Sequence, residues 1–246
     1  IFGTLDELSN SALPVDNNGD KLPVDPANGI WVGDVKYKDI NGDGKITVDD
    51  MTNIGNPWPK LSGGFTNTFR YKNFNLSVLI IGSYGNDIYN YMAATSSNPN
   101  NINLSRNLLK KTMNYAHLTT DDGGKPILAN PGTNVPRMTN NQLASDNNQS
   151  RNTTRFVEDG SYLRLKNVSL TYTLPFKILE KTRLIKGLKV TASAQNIYTL
   201  THYSGYDPEI GAYVGTGAAA NNQAIGIDFG RYPITPMYTI ALSVNF

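Results

Sequence analysis

Apolar and polar residues alternate with a period of two along five separated stretches of this chain, most cleanly in the last. From Tyr238 to Phe246 the apolar positions are Tyr238, Ile240, Leu242, Val244 and Phe246. Thr239, Ala241, Ser243 and Asn245 stand between them. Successive side chains of a strand point to opposite faces, so this stretch predicts a strand with one oily and one wet side. Residues 61–72 place Gly63, Phe65, Phe69 and Tyr71 opposite Ser62, Thr66, Thr68 and Arg70. Residues 74–85 place Phe74, Leu76, Val78, Ile80 and Tyr84 opposite Asn75, Ser77 and Ser83, with Leu79 and Ile81 blurring the wet face. In 161–174, Val168, Leu170, Tyr172 and Leu174 alternate with Asn167, Ser169, Thr171 and Thr173. In 187–200, Leu188, Val190, Ala192, Ala194, Tyr198 and Leu200 alternate with Lys189, Thr191, Ser193 and Gln195. The fifth strand is predicted over 234–246.

Alternation alone fits a soluble sandwich, whose apolar face points to a dry core. It fits equally a wide transmembrane barrel, whose apolar face meets lipid while the polar face lines a wet lumen. The connections discriminate. Lys72-Asn73 is a tight turn, and Pro175–Lys186 is short, with a helical stretch at Lys177–Thr182. Residues 86–160 and 201–232 are long, and long connections of this size are unusual in compact soluble domains. Short turns on one side and long loops on the other are the habit of outer-membrane barrels. With the C-terminus on the periplasmic side, both short turns fall there, and both long loops and the leading segment 1–59 fall outside. Five strands cannot close a barrel, and open edges in lipid would leave unpaired backbone groups costing several kcal/mol each. The expected fold is all-β: the C-terminal strands of a large antiparallel transmembrane β-barrel with long extracellular loops.

Within those loops, Ser96-Ser97-Asn98-Pro99-Asn100-Asn101 and Asp146-Asn147-Asn148-Gln149-Ser150 predict turns and hydrogen-bonded surface rather than core. Leu104–Tyr115 carries a helical rhythm, with Leu104, Leu108 and Leu109 on one stripe. No apolar run approaches the length of a membrane helix; Val78–Ile81 is the longest. A formal charge of +2 with no basic run gives no electrostatic footprint for nucleic acid. The absence of cysteine removes disulfides, thiolate metal sites and thiol nucleophiles. The chain opens Ile1-Phe2-Gly3-Thr4 with no initiator and no signal pattern, so an upstream portion is expected.

The sharpest local motif is the segment from Asp39 to Asp50. Asp39, Asn41 and Asp43 offer oxygens at positions 1, 3 and 5. Gly44 is at 6, Lys45 at 7, apolar Ile46 at 8 and carboxylate Asp50 at 12. This spacing matches a calcium loop, and Asp39, Asn41, Asp43, Lys45 and Asp50 are the candidate metal ligands. Asp50 is shorter than the usual Glu, and the flanks are strand and loop, which argues against an EF-hand. An ion with a structural role and an ion-free Asx/Gly turn both stand as readings. No catalytic site is expected. His117 and His202 have no nearby partner, Asp207-Pro208-Glu209 is a Pro turn rather than an acid/base pair, and no phosphate loop occurs. Trp31, Trp58, Tyr84, Tyr89, Tyr91, Tyr198, Tyr203, Tyr206 and Tyr213 fall near strand ends or in outer loops. Tyr84 and Tyr198 suit an interfacial girdle; the loop aromatics suit a girdle, a sugar ring or a partner protein.

Several blocks in order resemble the C-terminal part of the SusC/RagA family of TonB-dependent outer-membrane transporters. They are Gly33 to Ile46, Ile54-Gly55-Asn56-Pro57 through Gly64-Phe65, Phe156 to Val168, Ala194-Gln195-Asn196, Tyr206-Asp207-Pro208-Glu209 and the terminal Phe246. The resemblance implies a barrel of about 22 strands around an N-terminal plug. It implies a SusD-like surface lipoprotein over the extracellular face, energy from the TonB complex, homodimers of transporter–lipoprotein pairs, and import of oligosaccharides or other bulky nutrients. The alternative is a secreted β-sandwich glycan-binding module with a dockerin-like calcium loop. A glycoside hydrolase fragment is disfavoured by the missing acid/base pair.

Overall fold

The structure, a computed structural model, describes residues 1–98, 101, 105–140, 147–148, 152–180, 184–211 and 225–246. Five long strands carry the alternation: β1 (Leu61–Tyr71), β2 (Phe74–Tyr84), β3 (Tyr162–Thr173), β4 (Gly187–Thr201) and β5 (Met237–Asn245). They form one sheet in the order β5-β4-β3-β2-β1, every pair antiparallel, so each strand lies beside its neighbour in sequence. Lys72-Asn73 joins β1 to β2 as a two-residue turn, with Lys72 in the left-handed region (φ 50°) that such turns require.

The ladder is irregular at one height. Val78 and Ile80 on β2 face Val168 and Leu165 on β3, which in turn face Ala194 and Tyr198 on β4. The same rungs are therefore spanned by progressively more residues from β2 to β4, which is what β-bulges do. Asn196 sits in this bulge with φ 52°, a conformation asparagine tolerates better than other residues with a Cβ. The bulge shifts the phase of β3, so Leu163 and Leu165 join Val168 on the apolar face although their parity differs from its own. At the far end, β5 begins at Met237 rather than at 234. Pro236 has no N–H to give the ladder, and the Ile234 N–H goes to the Asp207 carboxylate instead. In the short connection the expected helix is one turn, Phe176–Leu179; Thr182 lies outside the described residues.

The chain divides into two units, residues 1–54 with 90–157, and residues 55–89 with 158–246. The second holds the sheet. The first has a core of Phe2, Leu8, Leu13 and Ile30, with Leu5, Leu22 and Trp31 packed against it. Its helix α1 (Leu5–Ser9) starts where the Thr4 side chain accepts the Glu7 N–H, and Asp6 and Glu7 place negative charge in the first turn. Leu13-Pro14 pairs in parallel with Lys45-Ile46. Two expectations for these loops are corrected. In place of a helix along 104–115, the described part has one 3-10 helix, Lys110–Asn114. Ser105 is left-handed (φ 55°) and Leu109 is extended, which interrupts the coil; Leu104 lies outside the described residues. The Asn/Ser-rich segments also reach the interior. Ser97, Asn147 and Asn148 are buried, each with hydrogen-bond partners; Pro99, Asn100, Asp146, Gln149 and Ser150 lie outside the described residues.

Candidate functional site

The sheet presents two chemically distinct faces, and the rungs show how each is assembled. Phe69, Leu76, Leu170, Ala192 and Ile240 face one another in succession across the five strands. Phe65, Ile80, Leu165 and Tyr198 do so two levels up. This face is exposed: Ile240 is 83% accessible and Leu242 65%. So large an apolar surface left open marks a face built for something other than water. Nor is there a second sheet of more than two strands among the described residues, which the sandwich alternative requires. On the opposite face a single row reads Thr68, Ser77, Ser169, Ser193 and Thr239, a hydroxyl from every strand. The next row reads Arg70, Asn75, Thr171, Thr191 and Ala241, with the Thr171 and Thr191 hydroxyls 2.9 Å apart. This face is wet, hydrogen-bonding and sparsely charged.

Its buried charge is gathered beside the bulge. Arg164, 2% exposed, donates from Nε to Thr199 Oγ1 at 2.8 Å, from Nη1 to Glu209 Oε2 at 2.6 Å and from Nη2 to Asp207 Oδ1 at 2.5 Å. Lys166 Nζ lies 3.5 Å from Glu209 Oε2. Asp207 also accepts the Glu209 N–H at Oδ1 and the Ile234 N–H at Oδ2. Burial pushes the Asp207 carboxyl up, but the Glu209 amide, the Arg164 guanidinium and the Ile234 amide together hold it below its ordinary value. Both carboxylates of Asp207-Pro208-Glu209 are thus bound to one guanidinium, which makes this turn an anchor. Nearby, the Tyr203 hydroxyl donates to Asp228 Oδ2 at 2.6 Å, while Asp228 Oδ1 accepts from the Gly230 and Arg231 amides. Burial, then the bond to Asp228, raises the Tyr203 hydroxyl above its usual value.

The segment 39–50 closes on itself. Asp39 accepts the Gly42 and Gly44 amides, Asn41 the Asp43 amide, and Asp43 the Lys45 amide. Asp50 accepts the Ile40 and Thr47 amides and completes a capping box with Thr47. Lys45 Nζ donates to the Gly19 carbonyl. Among the described residues no three His, Cys, Asp or Glu side chains converge as a metal-holding group. As placed, these oxygens serve the loop's own amides. The backbone amide of His117 donates to Asn130 Oδ1 and its ring lies 4.1 Å from that of Tyr115, whereas His202 stands near Asp159. Trp58, Tyr84, Tyr198 and Tyr206 are well exposed, Tyr203 is buried, Trp31 packs half-buried against the core, and Tyr213 lies outside the described residues.

Two ionic hubs escaped the sequence reading. Arg164 is one. The other is Asp34, fully buried, which accepts from Arg137 Nε and Nη2, Asn148 Nδ2 and the Trp31 amide. The available signal was an Arg whose parity sets it among the apolar positions Val168 and Leu170, together with an acidic pair elsewhere lacking a partner.

No family model matches the sequence. The chain is 35% identical over 210 residues to TonB-dependent receptor P3 of Formosa agariphila, a match covering 85% of this chain and 19% of that receptor. It is 26% identical over 212 residues to TonB-dependent receptor SusC of Bacteroides thetaiotaomicron, covering 85% of this chain and 17% of SusC. The fold is similar to that of the RagAB peptide transporter, with 24% identity and a TM-score of 0.55 over 76% of this chain and 17% of that one. The closed-closed state of the RagAB peptide importer gives a TM-score of 0.57 over 94% of this chain, at 22% identity. The chain spans about a fifth of the length of the curated relatives it matches. On these grounds, and with one apolar and one hydroxyl-lined sheet face, the chain is a segment of a SusC/RagA-like TonB-dependent receptor, a class of outer-membrane β-barrel protein.

Proposed function

We propose that this chain supplies barrel wall and outer loops to a TonB-dependent importer of a bulky hydrophilic nutrient. The observation that carries the reading is the two-faced sheet: an exposed apolar surface across all five strands, suited to acyl chains, backed by rows of hydroxyls suited to a wet lumen. In this reading the remaining strands and the plug come from the rest of the polypeptide, which also contacts the TonB complex. The short turns Lys72-Asn73 and 175–186 face the periplasm with the C-terminus, and the long loops face outward. A SusD-like lipoprotein caps that outer side, as the paired name RagAB suggests, and two such pairs associate. The cargo is an oligosaccharide or a peptide. Its chemistry is supported only by the wet face, which offers many hydroxyls and few fixed charges, and by the relatives: RagAB transports peptides.

Two measurements test this. The full-length receptor is expected in the outer-membrane fraction, released only by detergent; recovery in a detergent-free soluble fraction would overturn the reading. Deleting its gene is expected to abolish uptake of one oligosaccharide or peptide pool, to the same extent as deleting the gene for TonB; undiminished uptake of every pool counts against it. The spacing of Asp39, Asn41, Asp43, Lys45 and Asp50 is separate ground for proposing a structural calcium ion there. Calorimetric titration with calcium chloride decides it, since saturable heat supports the ion and its absence supports the self-paired turn.

A further inference from the structure

The connection from β4 to β5, residues 202–236, poses a problem of register. A tight turn fixes which residues face each other across a hairpin, but so long a connection leaves that choice open. The alternation settles it only in part. Sliding β5 by one residue would turn its apolar side chains to the wet face, whereas sliding it by two returns every side chain to its own face. Some other contact must choose among registers that differ by two.

Two features at the start of β5 make that choice from opposite directions. Met237 faces Gln195, and Pro236 stands immediately before it. Moving β5 so that Thr235 faced Gln195 would draw Pro236 into the ladder, where it has no N–H to give. Movement the other way, with Thr239 facing Gln195, meets a different obstacle. The Ile234 amide donates to Asp207 Oδ2 at 3.2 Å, and Arg164 Nη2 donates to Asp207 Oδ1 at 2.5 Å. Arg164 Nε donates to Thr199 Oγ1 at 2.8 Å, and these two residues face each other on β3 and β4. The Asp207–Arg164 pair thus links β3, β4 and the segment that leads into β5. Arg164 is 2% and Asp207 7% exposed, so the link is shielded from salt and water. A two-residue slide in this direction carries Ile234 about 7 Å from Asp207 and breaks the tie without changing the face of any side chain.

We propose that the Arg164–Asp207–Ile234 clamp selects the register of β5 on β4. The proposal holds whatever the protein carries. The described chain contains no cysteine, so introduced pairs report cleanly on this segment. In the full-length receptor, Thr191→Cys with Ala241→Cys marks the observed register, and Thr191→Cys with Ser243→Cys marks the slide that the clamp opposes. Disulfides need Cα atoms within about 4.4–6.8 Å, which facing residues satisfy and diagonal ones, about 7–8 Å apart, do not. Oxidation in outer membranes, followed by mass spectrometry of the linked peptides, is expected to link only the first pair while Asp207 is intact. With Asp207→Ala the second pair is expected to link at least about tenfold more, the weight of one charge-assisted hydrogen bond. With Asp207→Asn, which keeps an acceptor for Ile234, the first pair should remain dominant. Unchanged linkage in the Asp207→Ala protein overturns the proposal. If that protein is degraded before assembly, the pairs are read after refolding from urea into detergent. There a slipped linkage supports the clamp, and the native linkage alone overturns it.

Discussion

At the scale of single residues, buried ionic groups hold the loops in place. Removing the Asp34 carboxylate as Asp34→Ala would leave the Arg137 guanidinium, itself nearly buried, without its counter-charge. A cost of about 3–5 kcal/mol is expected for such a broken pair, measured as lost stability in urea. Protease cleavage within 1–54 and 90–157 should rise in parallel, because Asp34 also holds Asn148 and the Trp31 amide. Asp207 gives a pH dependence with a definite sign. Its carboxyl is held below the ordinary value of 3.8, so the ionised form favours the folded state. That contribution is complete above the unfolded value and is lost as pH falls through the lower folded value. Thermal stability of the detergent-solubilised protein should therefore drop on acidification below about pH 4, and Asp207→Asn should flatten that part of the curve. A curve of the same shape in both proteins would assign the acid sensitivity elsewhere.

At the scale of elements, the strands were legible and their irregularities were not. Alternation is local, so Tyr238 to Phe246 shows two faces without knowledge of any other strand. The phase shift that brings Leu163 and Leu165 to the face of Val168 depends on a bulge. Its backbone signature, Asn196 at φ 52°, could be suspected only from the Ala194-Gln195-Asn196 block. The loops were harder still, because their contacts are distant in sequence: Asn148 meets Asp34 across a separation of 114 residues. The left-handed Asn196 predicts an asymmetric outcome. Asn196→Val should destabilise the sheet by about 1–2 kcal/mol, whereas Asn196→Gly should be nearly neutral. Urea unfolding in detergent checks both, and equal effects would mean that the bulge relaxes on substitution. Loop 39–50 offers a second check at this scale. The calcium ion proposed there predicts that EDTA raises protease cleavage within 39–50 and that added calcium suppresses it again, whereas unchanged cleavage would leave these carboxylates to the loop's own amides.

At the scale of the whole molecule, the sheet has two open edges among the described residues, β1 and β5, and the chain spans only about a fifth of its relatives. The orientation of its faces still makes a global prediction. Ile240→Lys places a charge on the exposed apolar side and should cost about 2–4 kcal/mol if that side meets the bilayer midplane. Thr239→Lys, one residue away on the hydroxyl side, should be tolerated. Outer-membrane levels of the full-length variants report the difference, and equal loss in both would mean that the two sides are not lipid and lumen. The hydroxyl side carries a further consequence. Thr68, Ser77, Ser169, Ser193 and Thr239 set hydroxyls about 4.8 Å apart from strand to strand, while Leu79 and Ala241 interrupt the series along β2 and β5. Each gives and takes one bond of ordinary strength. A sugar or amide crossing that row would find a new hydroxyl within one strand spacing of the old one. In the importer proposed above, that row would serve as a low-friction track, and stickiness, where it is needed, would come from somewhere else.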